Sequence, residues 1–581
     1  MKRFPVLIFA VLFLNCACLM ANGKVIYVKQ VAPGDDATPF IVEAVEKCRQ
    51  TKATKLVLEK GVYNCKSDLA PEKYVFTSNN DEGLKRFVFE LSGMKDLEID
   101  GQNSLLMLDG YVCPFLLSNT ANINVRNIVI DYKRSFHSEG IIVASYKDSL
   151  DLSIPAAYPY DVQNNKLMFY GDKIISKDNA GDPKRVQYPF WHLLEFDAVK
   201  REPEQEAFDY LNVQNMVVKE LKPGLIRIFF PRMKGKVGNT MVFNPTERLI
   251  PCFSISSSQD IKLTNVTMHH AGAMGVIAQR SKNITLDSVK VIPSQGRMIS
   301  LAADATHFVN CSGKITMTNC LFEGQKDDAT NIHGIYVKIT SMPSPREAIV
   351  KLIHYQQFGF DFLTKGAKVE MVEATSLNTM QENEVISAER INKEYTKIRF
   401  KNPISSKIKI GDVIAALGSY PDVEIRNCTF HRNRARGLLL GSRGKILIEN
   451  NYFHTHCAAI NLEGDGRFWY EQSGVRDLTI RNNMFDNCNY SLMLGLGVIM
   501  TLSGIENDKR AESRYNRNIL IENNTFKLAT PNILNLYSVD NVTYRNNKVE
   551  NSDMYKMTEW VKSQNFKRFI IKDSSNINIQ E

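Results

Sequence analysis

The sequence predicts an all-β fold: a right-handed parallel β-helix with an N-terminal capping helix and two inserted β-rich, barrel-like subdomains. Several segments alternate apolar and polar residues, as strands do, and then end in Asn. These segments recur at a fixed period, since the interval from Asn427 to Asn450 equals the interval from Asn523 to Asn546. A fixed repeat of this kind, with no helical pattern between the strands, indicates a solenoid of stacked β-strands.

Asparagine marks the predicted corner of each turn because it tolerates the left-handed backbone conformation that a tight bend needs. The corner positions are Asn265, Asn319, Asn427, Asn450, Asn482, Asn523 and Asn546. We expect asparagine and apolar side chains to stack in ladders along the inside of the solenoid. Four cysteines directly follow an asparagine and are predicted to face inward: Cys311, Cys320, Cys428 and Cys488.

Residues 1–22 have the pattern of a secretory signal peptide. Lys2 and Arg3 precede an apolar run that is too short for a membrane span and ends in small residues. We therefore expect the protein to cross the inner membrane and to act in the periplasm. Cys16 and Cys18 leave lipid anchoring open, and no later segment is long and apolar enough to span a bilayer.

Residues 23–140 are predicted to form the N-terminal cap and the first turns. Thr38 is the expected N-cap of a helix, with Pro39 at the first helical position. An apolar stripe at helical spacing follows in Ile41, Ala44, Val45 and Cys48. Such a helix covers the open end of a solenoid, whose first turn would otherwise expose its core.

Two stretches, 141–250 and 338–417, lack the asparagine corners and are predicted as β-rich insertions. Both have longer strands and turns rich in Pro and Gly. They flank residues 251–337, the turns that carry the candidate catalytic aspartates, and residues 418–581 complete the solenoid. The insertions are therefore expected to form walls around the aspartates.

Composition excludes several other functions. The net charge of +9 becomes +7 without Lys2 and Arg3, and the basic residues are scattered, so no nucleic-acid partner is expected. Eleven cysteines, less Cys16 and Cys18, leave an odd set of nine without disulfide spacing, which predicts buried thiols. Metal motifs of the CxxC or HExxH kind are absent, so we expect neither a metal nor another cofactor.

Three carboxylates, Asp304, Asp327 and Asp328, are the candidate catalytic residues. The interval from Asp304 to Asp327 equals the corner-to-corner period, which predicts neighbouring turns about 4.8 Å apart. Adjacent residues share one cleft only at a corner or a bulge, so the pair is expected there. Inverting glycosidases use one carboxyl as acid and another as base, about 6.5–9.5 Å apart, a distance that diagonal placement across a turn could meet. The simpler alternative is that these aspartates cap turns or hold a structural cation.

Other polar and aromatic residues are candidates for substrate binding. His307, Asn331 and His333 are predicted to lie on the same two turns as the aspartates. A second group, Glu463, Trp469 and Glu471, lies in a segment that interrupts the repeat and suits sugar stacking and hydroxyl binding. Three arginines are candidates for orienting substrate or pairing these acids: Arg436, Arg443 and Arg467.

The segments around Asp304, Asp327-Asp328 and Phe468-Trp469 resemble glycoside hydrolase family 110, as found in secreted enzymes of the Bacteroides type. The resemblance runs through nearly the whole mature chain. It implies a β-helical, exo-acting α-galactosidase that removes terminal α-1,3-linked galactose with inversion and without a metal. The family's acidic trio carries over to Asp304, Asp327 and Asp328. The general acid is expected within the Asp327-Asp328 pair, and the base is the other member or Asp304.

The implied partner is a galactose-terminated oligosaccharide or glycoconjugate, either blood group B or linear Galα1-3Gal. No sequence feature indicates an oligomeric state. One alternative is a polygalacturonase-like β-helix hydrolase, but the Gly-His-Gly and Arg-Ile-Lys motifs of those enzymes do not occur. A polysaccharide lyase is a third alternative, but the sequence shows no clear set of the residues that a lyase would need. A non-catalytic glycan-binding β-helix would use Trp469 and Tyr470 without needing the Asp pair.

Overall fold

A computed structural model describes residues 24–81, 83–177, 181, 183–492, 495–557, 562–563 and 567–581. Its main body is a parallel β-helix in which each rung, one full turn of the chain, contributes strands to three faces. The predicted signal peptide lies outside the described residues. Within the described residues, no helix is long and apolar enough to cross a bilayer.

The first two faces meet at the asparagine corner. The first face comprises Val25–Val28, Lys55–Leu58, Lys95–Asp109, Ala121–Tyr132, Gln259–Met268, Lys282–Asp287, Ser312–Thr318, Asp422–Arg426, Lys445–Glu449, Asp477–Arg481, Asn516–Glu522, Val539–Arg545 and Ser575–Ile579. The second comprises Val62–Lys66, Lys290–Val291, Leu321–Glu323, Thr429–His431, Tyr452–His454, Met484–Asp486, Thr525–Leu528 and Lys548–Asn551. Three long strands of the first face, those starting at Lys95, Ala121 and Gln259, continue into the second face.

The third face carries the candidate site. Its parallel strands are Leu84–Glu90, Cys113–Ser118, Phe253–Ser256, Val276–Gln279, Thr306–Val309, Thr330–Ser344, Leu438–Leu440, Ile460–Asn461, Ile499–Met500, Leu534–Tyr537 and Phe569–Lys572. Two short strands add to it antiparallel, Glu72–Tyr74 and Glu471–Gln472. Short 3-10 turns occur at Ser67–Leu69, Val213–Asn215, Tyr355–Gln357 and Asn507–Lys509.

The asparagine corners are confirmed. All seven corner asparagines have positive φ, between 51° at Asn265 and 58° at Asn450, a region that other residues reach only with strain. The four cysteines that follow an asparagine are buried, as predicted, and the nine cysteines within the described residues are all buried free thiols. These cysteines lie at the corners, just outside the strands, where a small side chain packs against the core.

Asparagine and phenylalanine ladders run along the inside, as expected. The Nδ2 of Asn451 donates to Oδ1 of Asn483 at 3.0 Å, and Asn483 repeats the contact with Asn524 at 2.9 Å. The rings of Phe453 and Phe485 stack 5.1 Å apart. Each ladder satisfies buried backbone groups or fills the core at every rung, so one rung templates the next.

Asn483→Ala is expected to destabilise the solenoid by about 2–3 kcal/mol. The change removes the acceptor of the Asn451 N–H group and the donor to the Ile448 carbonyl, both of which lie inside the helix. Urea unfolding measures the loss. Asn578→Ala, an exposed position on the last strand, is the control and should unfold with the wild type. Equal midpoints for both variants would contradict a structural ladder.

The capping helix spans Thr38–Thr51 and buries the predicted stripe. One detail differs from the prediction: the N-cap is Ala37, and Thr38 is already helical. The Asp36 carboxylate accepts the Thr38 N–H at 3.0 Å, while the Thr38 hydroxyl donates to the Lys66 carbonyl. The free N–H group is thus satisfied by an acidic side chain upstream, which also suits the helix dipole.

The first insertion follows Tyr132 and consists of two antiparallel sheets, one of eight strands and one of three, the latter formed by Tyr160–Gln163, Lys166–Lys177 and Pro183–Gln187. Its strands are Ser138–Tyr146, Ser149–Ser153, Tyr160–Gln163, Lys166–Lys177, Pro183–Gln187, Phe190–Asp197, Glu202–Pro203, Tyr210–Leu211, Val217–Lys222, Leu225–Phe229 and Thr240–Pro245. The chain leaves it through Arg248 and re-enters the helix at Phe253. The insertion therefore ends beside the rungs that carry the aspartates.

The second insertion is a closed six-stranded antiparallel barrel. Its strands are Thr330–Ser344, Glu347–Lys351, Lys368–Val372, Thr379–Arg390, Tyr395–Phe400 and Val413–Ala416. The first strand pairs with the second and the last, which closes the ring. That first strand begins on the third face of the helix, so the barrel is a direct extension of the rung that follows Asp327 and Asp328.

Candidate active site

The candidate catalytic residues lie at the turn that leads into the third face. Thr306 pairs with Thr330, and Thr330 with Leu438. Two residues earlier, Asp304, Asp328 and Arg436 therefore occupy the same position on three successive rungs. Residues that pair between these neighbouring rungs are separated in the sequence by one residue more than successive asparagine corners are. Asp328, rather than Asp327, is therefore the partner of Asp304, and Asp327 lies beside it.

Small residues let the backbone turn tightly here. Ala305 and Ala329 are fully buried after the aspartates, and the next rung has Gly437 at the same place. A Cβ on Gly437 would lie 2.4 Å from the Ala459 carbonyl oxygen, so only glycine fits. Asp327 and Asp328 lie in the bend before the strand, outside regular β pairing, which confirms the predicted corner placement.

The three carboxyl groups form one cluster. One oxygen from each lies within 4.8 Å of one oxygen from each of the others. The Asp328 N–H donates to Oδ1 of Asp304 at 3.2 Å. The cluster is therefore tighter than the separation of about 6.5–9.5 Å that the diagonal arrangement was expected to produce. The physical reason is that Asp304 and Asp328 are stacked in register.

Two arginines form ion pairs with the cluster. Arg436 makes a bidentate contact with Asp328, at 2.9 Å from each carboxylate oxygen, and also donates its backbone N–H. Arg248 pairs with Asp327 at 2.7 Å. The Asp327 side chain is 21% exposed, whereas those of Asp304 and Asp328 are 3% and 2% exposed. Asp327 is therefore the carboxyl of the trio that is most accessible to solvent.

The three carboxyl groups differ in proton affinity. Burial, followed by the charge of Asp327, raises the pKa of Asp304 to about 8. Burial raises the pKa of Asp328 to about 6, against the opposing charge of Arg436. For Asp327 burial also acts upward, but three guanidinium groups, led by that of Arg248, hold its pKa below the ordinary value. Of the three carboxyl groups, Asp304 therefore has the highest proton affinity and Asp327 the lowest.

His307 and His333 link Asp304 to the protein interior. His307 Nδ1 lies 2.5 Å from Oδ2 of Asp304, and its Nε2 lies 2.8 Å from Nε2 of His333. His333 Nδ1 lies 2.7 Å from the Gly334 carbonyl oxygen. All four ring nitrogens therefore face protein partners, which is a different role from the direct sugar contact suggested by the sequence. The third residue of this group, Asn331, is buried, and its Oδ1 has no hydrogen-bond partner among the described residues.

The loop from Glu463 to Glu471 lies beside the trio and contacts Arg436 and His333. Glu463 accepts hydrogen bonds from Asn461 at 2.8 Å and from Arg436 at 3.4 Å, and Oε1 of Glu471 lies 3.5 Å from Nε2 of His333. Trp469 is 42% exposed, so its ring is available to a ligand. The tertiary structure brings this loop to the aspartates through the antiparallel pair of Glu471–Gln472 with the strand after Asp328.

Two residues of the candidate site were not identified from the sequence. Arg248 lies at the end of the first insertion, and its pairing with Asp327 depends on how that insertion packs. His354, from the second insertion, lies with its ring 4.9 Å from that of Trp469. Neither residue is part of a repeat, so no periodic signal marks it.

The three candidate arginines have separate partners. Arg436 pairs with Asp328 and Glu463, as the sequence suggested. Arg443 instead pairs with the buried Glu370 of the second insertion, at 2.7 Å. Arg467 pairs with Glu506, and both side chains are exposed. Arg436 alone of these three therefore contacts the aspartate trio.

Three family profiles match the chain. Residues 138–250 match GLAA-B beta-barrel domain I, residues 347–414 match GLAA-B beta-barrel domain II, and residues 411–580 match the right handed beta helix region. The predicted fold class is confirmed. Among solved structures, an endo-xylogalacturonan hydrolase from Aspergillus tubingensis has 11% identity and a TM-score of 0.41, covering 91% of this chain and 94% of that chain.

Named relatives match over most of their length. The chain is 35% identical to alpha-1,3-galactosidase A of Shewanella woodyi, over 90% of this chain and 84% of that protein. It is 31% identical to alpha-1,3-galactosidase B of Bacteroides thetaiotaomicron, over 93% and 88% respectively. Alpha-1,3-galactosidase A of Bacteroides fragilis is 29% identical, over 89% and 85%. The resemblance noted in the motifs is thus confirmed across the cap, both insertions and the helix, and the chain belongs to the α-1,3-galactosidase family of glycoside hydrolases.

Proposed function

We propose that the protein is an exo-acting, inverting α-1,3-galactosidase that removes terminal α-1,3-linked galactose from blood group B or linear Galα1-3Gal glycans. The observation that carries the proposal is the cluster of Asp304, Asp327 and Asp328, in which burial raises the pKa of Asp304 while guanidinium groups lower that of Asp327. The relatives' names supply the sugar and the linkage. Both insertions contribute a residue at the site, Arg248 from the first and His354 from the second, which favours entry of a chain end over the middle of a polymer.

Asp327 is the proposed general acid. It is the most exposed carboxyl of the trio, so it is the one that a glycosidic oxygen can reach. Its proton comes from the shared proton of the trio, which rests on Asp304 in the free enzyme. Protonation of the glycosidic oxygen lets the C1–O bond break while the positive charge that develops on the sugar is stabilised by the remaining carboxylates.

Asp304 and Asp328 are the proposed holders of the attacking water. A water that donates two hydrogen bonds of about 2.8 Å spans acceptors about 4.6 Å apart, close to the 4.8 Å limit that contains these oxygens. The water attacks C1 from the face opposite the leaving group and leaves its proton on one of the two carboxylates. The product is β-galactose. Because the cluster is tighter than the separation of about 6.5–9.5 Å found in inverting enzymes, product stereochemistry is the decisive observation.

Trp469 is proposed to stack on the sugar next to galactose. Trp469→Ala should raise KM about 2- to 10-fold and leave kcat nearly unchanged, since stacking of this kind contributes about 0.5–1.5 kcal/mol away from the reacting bond. Steady-state kinetics on Galα1-3Gal measures both constants. Tyr27→Ala, an exposed aromatic on the first strand, is the control and should leave KM unchanged. A fall in kcat alone would contradict the assignment.

A polygalacturonase-like activity is less well supported by the basic side chains of the site. That reaction needs basic side chains for the carboxylate of galacturonic acid. Here Arg248 and Arg436 are already paired with Asp327 and Asp328. A purely binding protein is also disfavoured, because three clustered carboxyl groups cost energy that glycan binding does not require.

Proton NMR of the products tests the proposal. The protein is incubated with Galα1-3Gal and with the fucosylated blood group B trisaccharide. Early β-galactose establishes inversion, and the two rates rank the substrates. Early α-galactose would overturn the inverting mechanism, and no galactose from either would overturn the proposed substrate. We further propose that this hydrolysis takes place outside the inner membrane, as the N-terminal leader predicts; processing of an exported chain would test it.

A further inference from the structure

We propose that His307 and His333 are positioning residues that keep one proton on Asp304, through hydrogen bonds that run in one direction to the Gly334 carbonyl. The inference rests on the proposed catalytic use of the aspartate trio and adds the groups that set its proton count. Neither histidine touches substrate in this role, and both act through Asp304.

The direction of the hydrogen-bond chain from Asp304 through His307 and His333 follows from its last acceptor, the Gly334 carbonyl oxygen. A carbonyl oxygen cannot donate, so the contact at Gly334 requires a proton on Nδ1 of His333. In a neutral ring Nε2 of His333 is then bare and accepts the Nε2 proton of His307. His307 in turn has a bare Nδ1, and its contact with Asp304 requires that the carboxyl group supply the proton. Two neutral rings thus imply a protonated Asp304.

The surroundings favour neutral rings. His307 is 1% exposed and His333 is 4% exposed, so an imidazolium would lose nearly all its hydration. Burial lowers the pKa of His307 to about 3, and burial also lowers the pKa of His333. The charged and titratable groups facing Asp304 and the two rings are Arg248, Arg436, Asp327, Asp328 and Glu471.

A competing arrangement contains the same number of protons. In it Asp304 is ionised, His307 carries its proton on Nδ1, and His333 is an imidazolium 3.5 Å from Glu471. This arrangement buries two additional charges, one at each end of the chain. The neutral arrangement buries none, and burial raises the pKa of Glu471 as well, which weakens its support for an imidazolium.

The proposal has a direct consequence for the pH dependence. Asp304 has a raised pKa, so it holds its proton below about 8 and loses it as the pH rises through that value. The trio then lacks the proton that Asp327 must deliver. The alkaline limb of kcat/KM should therefore fall near pH 8, and its position should depend on the histidine chain.

Infrared spectroscopy of the wild-type protein tests the proton's location without using activity. A protonated carboxyl has a C=O stretch that shifts in D2O. Buried Glu139, whose pKa is raised to about 7, contributes a similar band, so the Asp304→Asn difference spectrum is needed for assignment. We expect an Asp304 band at pH 7 that disappears as the alkaline limb is crossed. Absence of that band at pH 7 would place the proton on His333 and overturn the proposal.

Two substitutions at His333 distinguish an effect on the hydrogen-bond chain from an effect on packing. His333→Leu removes the acceptor of His307, whose ring can then carry its proton on Nδ1 and donate to an ionised Asp304. A hydrogen bond to the charged form lowers a carboxyl pKa, so the alkaline limb should move down by about 1 pH unit. His333→Gln retains an acceptor for His307 and a donor for Gly334, and should restore the wild-type limb. His269→Leu, on a neighbouring rung outside the site, is the control and should leave the limb in place.

The outcomes are distinguishable from failure of the proposed function. If neither galactoside is hydrolysed but the Asp304 band is present, the hydrogen-bond chain stands and the substrate assignment falls. If His333→Leu reduces the rate at every pH without moving the limb, its role is structural and the inference is overturned. If that variant does not fold, the infrared band of the wild type still decides.

Discussion

Asp327→Asn should lower kcat/KM on Galα1-3Gal by about 10²- to 10⁴-fold. The amide cannot deliver a proton to the leaving sugar, and general acid catalysis contributes on this scale. The loss should be much smaller on α-galactosyl fluoride, because fluoride departs with little need of a proton. Asp328→Asn, which alters the group that holds the water, should instead reduce turnover of both substrates. Initial rates on the two substrates measure the difference.

Asp477→Asn is the matched control, since Asp477 is exposed at the start of a strand of the solenoid. It should retain wild-type rates on both substrates. An Asp327→Asn variant that is equally slow on the fluoride would contradict the role of Asp327 as acid and move that role to another member of the trio. Circular dichroism of each variant confirms that the fold is intact.

Arg436→Met should destabilise the protein by about 3–5 kcal/mol and also reduce turnover, since breaking a buried ion pair costs on this scale. Asp328 is almost fully buried and receives three hydrogen bonds from Arg436, so removal of the arginine leaves a charge with little compensation. The backbone donor survives, but the two guanidinium contacts do not. Asp328 should then take up a proton, because an unpaired buried carboxyl favours its neutral form. Urea unfolding at pH 7 measures the loss of stability.

Urea unfolding at lower pH tests whether the stability difference between Arg436→Met and the wild type shrinks or grows with acidity. Protonation relieves the stranded charge, so the stability gap between Arg436→Met and the wild type should narrow as the pH falls from 7 to 5. Arg426→Met is the control: this arginine pairs on the outer surface and is 37% exposed, so its loss should cost about 1 kcal/mol or less. Equal costs for the two substitutions would show that the Asp328 pair contributes no more than a surface pair.

Much of the fold is encoded locally. The alternation within segments such as Lys445–Glu449 places Ile446 and Ile448 inside because strand side chains alternate faces. The corner after it needs a left-handed residue, and Asn450 is one of the few types that supplies it without strain. Both signals lie within a few residues, so the helix could be predicted from the sequence. The start of the capping helix was misplaced by one residue because Asp36, rather than Thr38, supplies the cap.

The candidate site was predicted in part. The three aspartates could be identified because Asp304 and the Asp327-Asp328 pair lie about one repeat apart. Their register could not, because paired residues on the third face are one position further apart here than the asparagine corners. The role of His307 could not be predicted either. Only the tertiary structure shows that one of its ring nitrogens contacts Asp304 and the other contacts His333 on the next rung.

The sequence by itself determined the solenoid, its corners, the buried thiols and the residues of the acidic trio, because each follows from a short, repeated pattern of side-chain size and polarity. Only the tertiary structure decided the electrostatics of the site. Arg248 and His354 arrive from the two insertions, and Glu471 arrives from a loop beyond the second. The proton affinity of a carboxyl depends on burial and on charges a few ångströms away, and these are contributed by residues that are far apart in the chain.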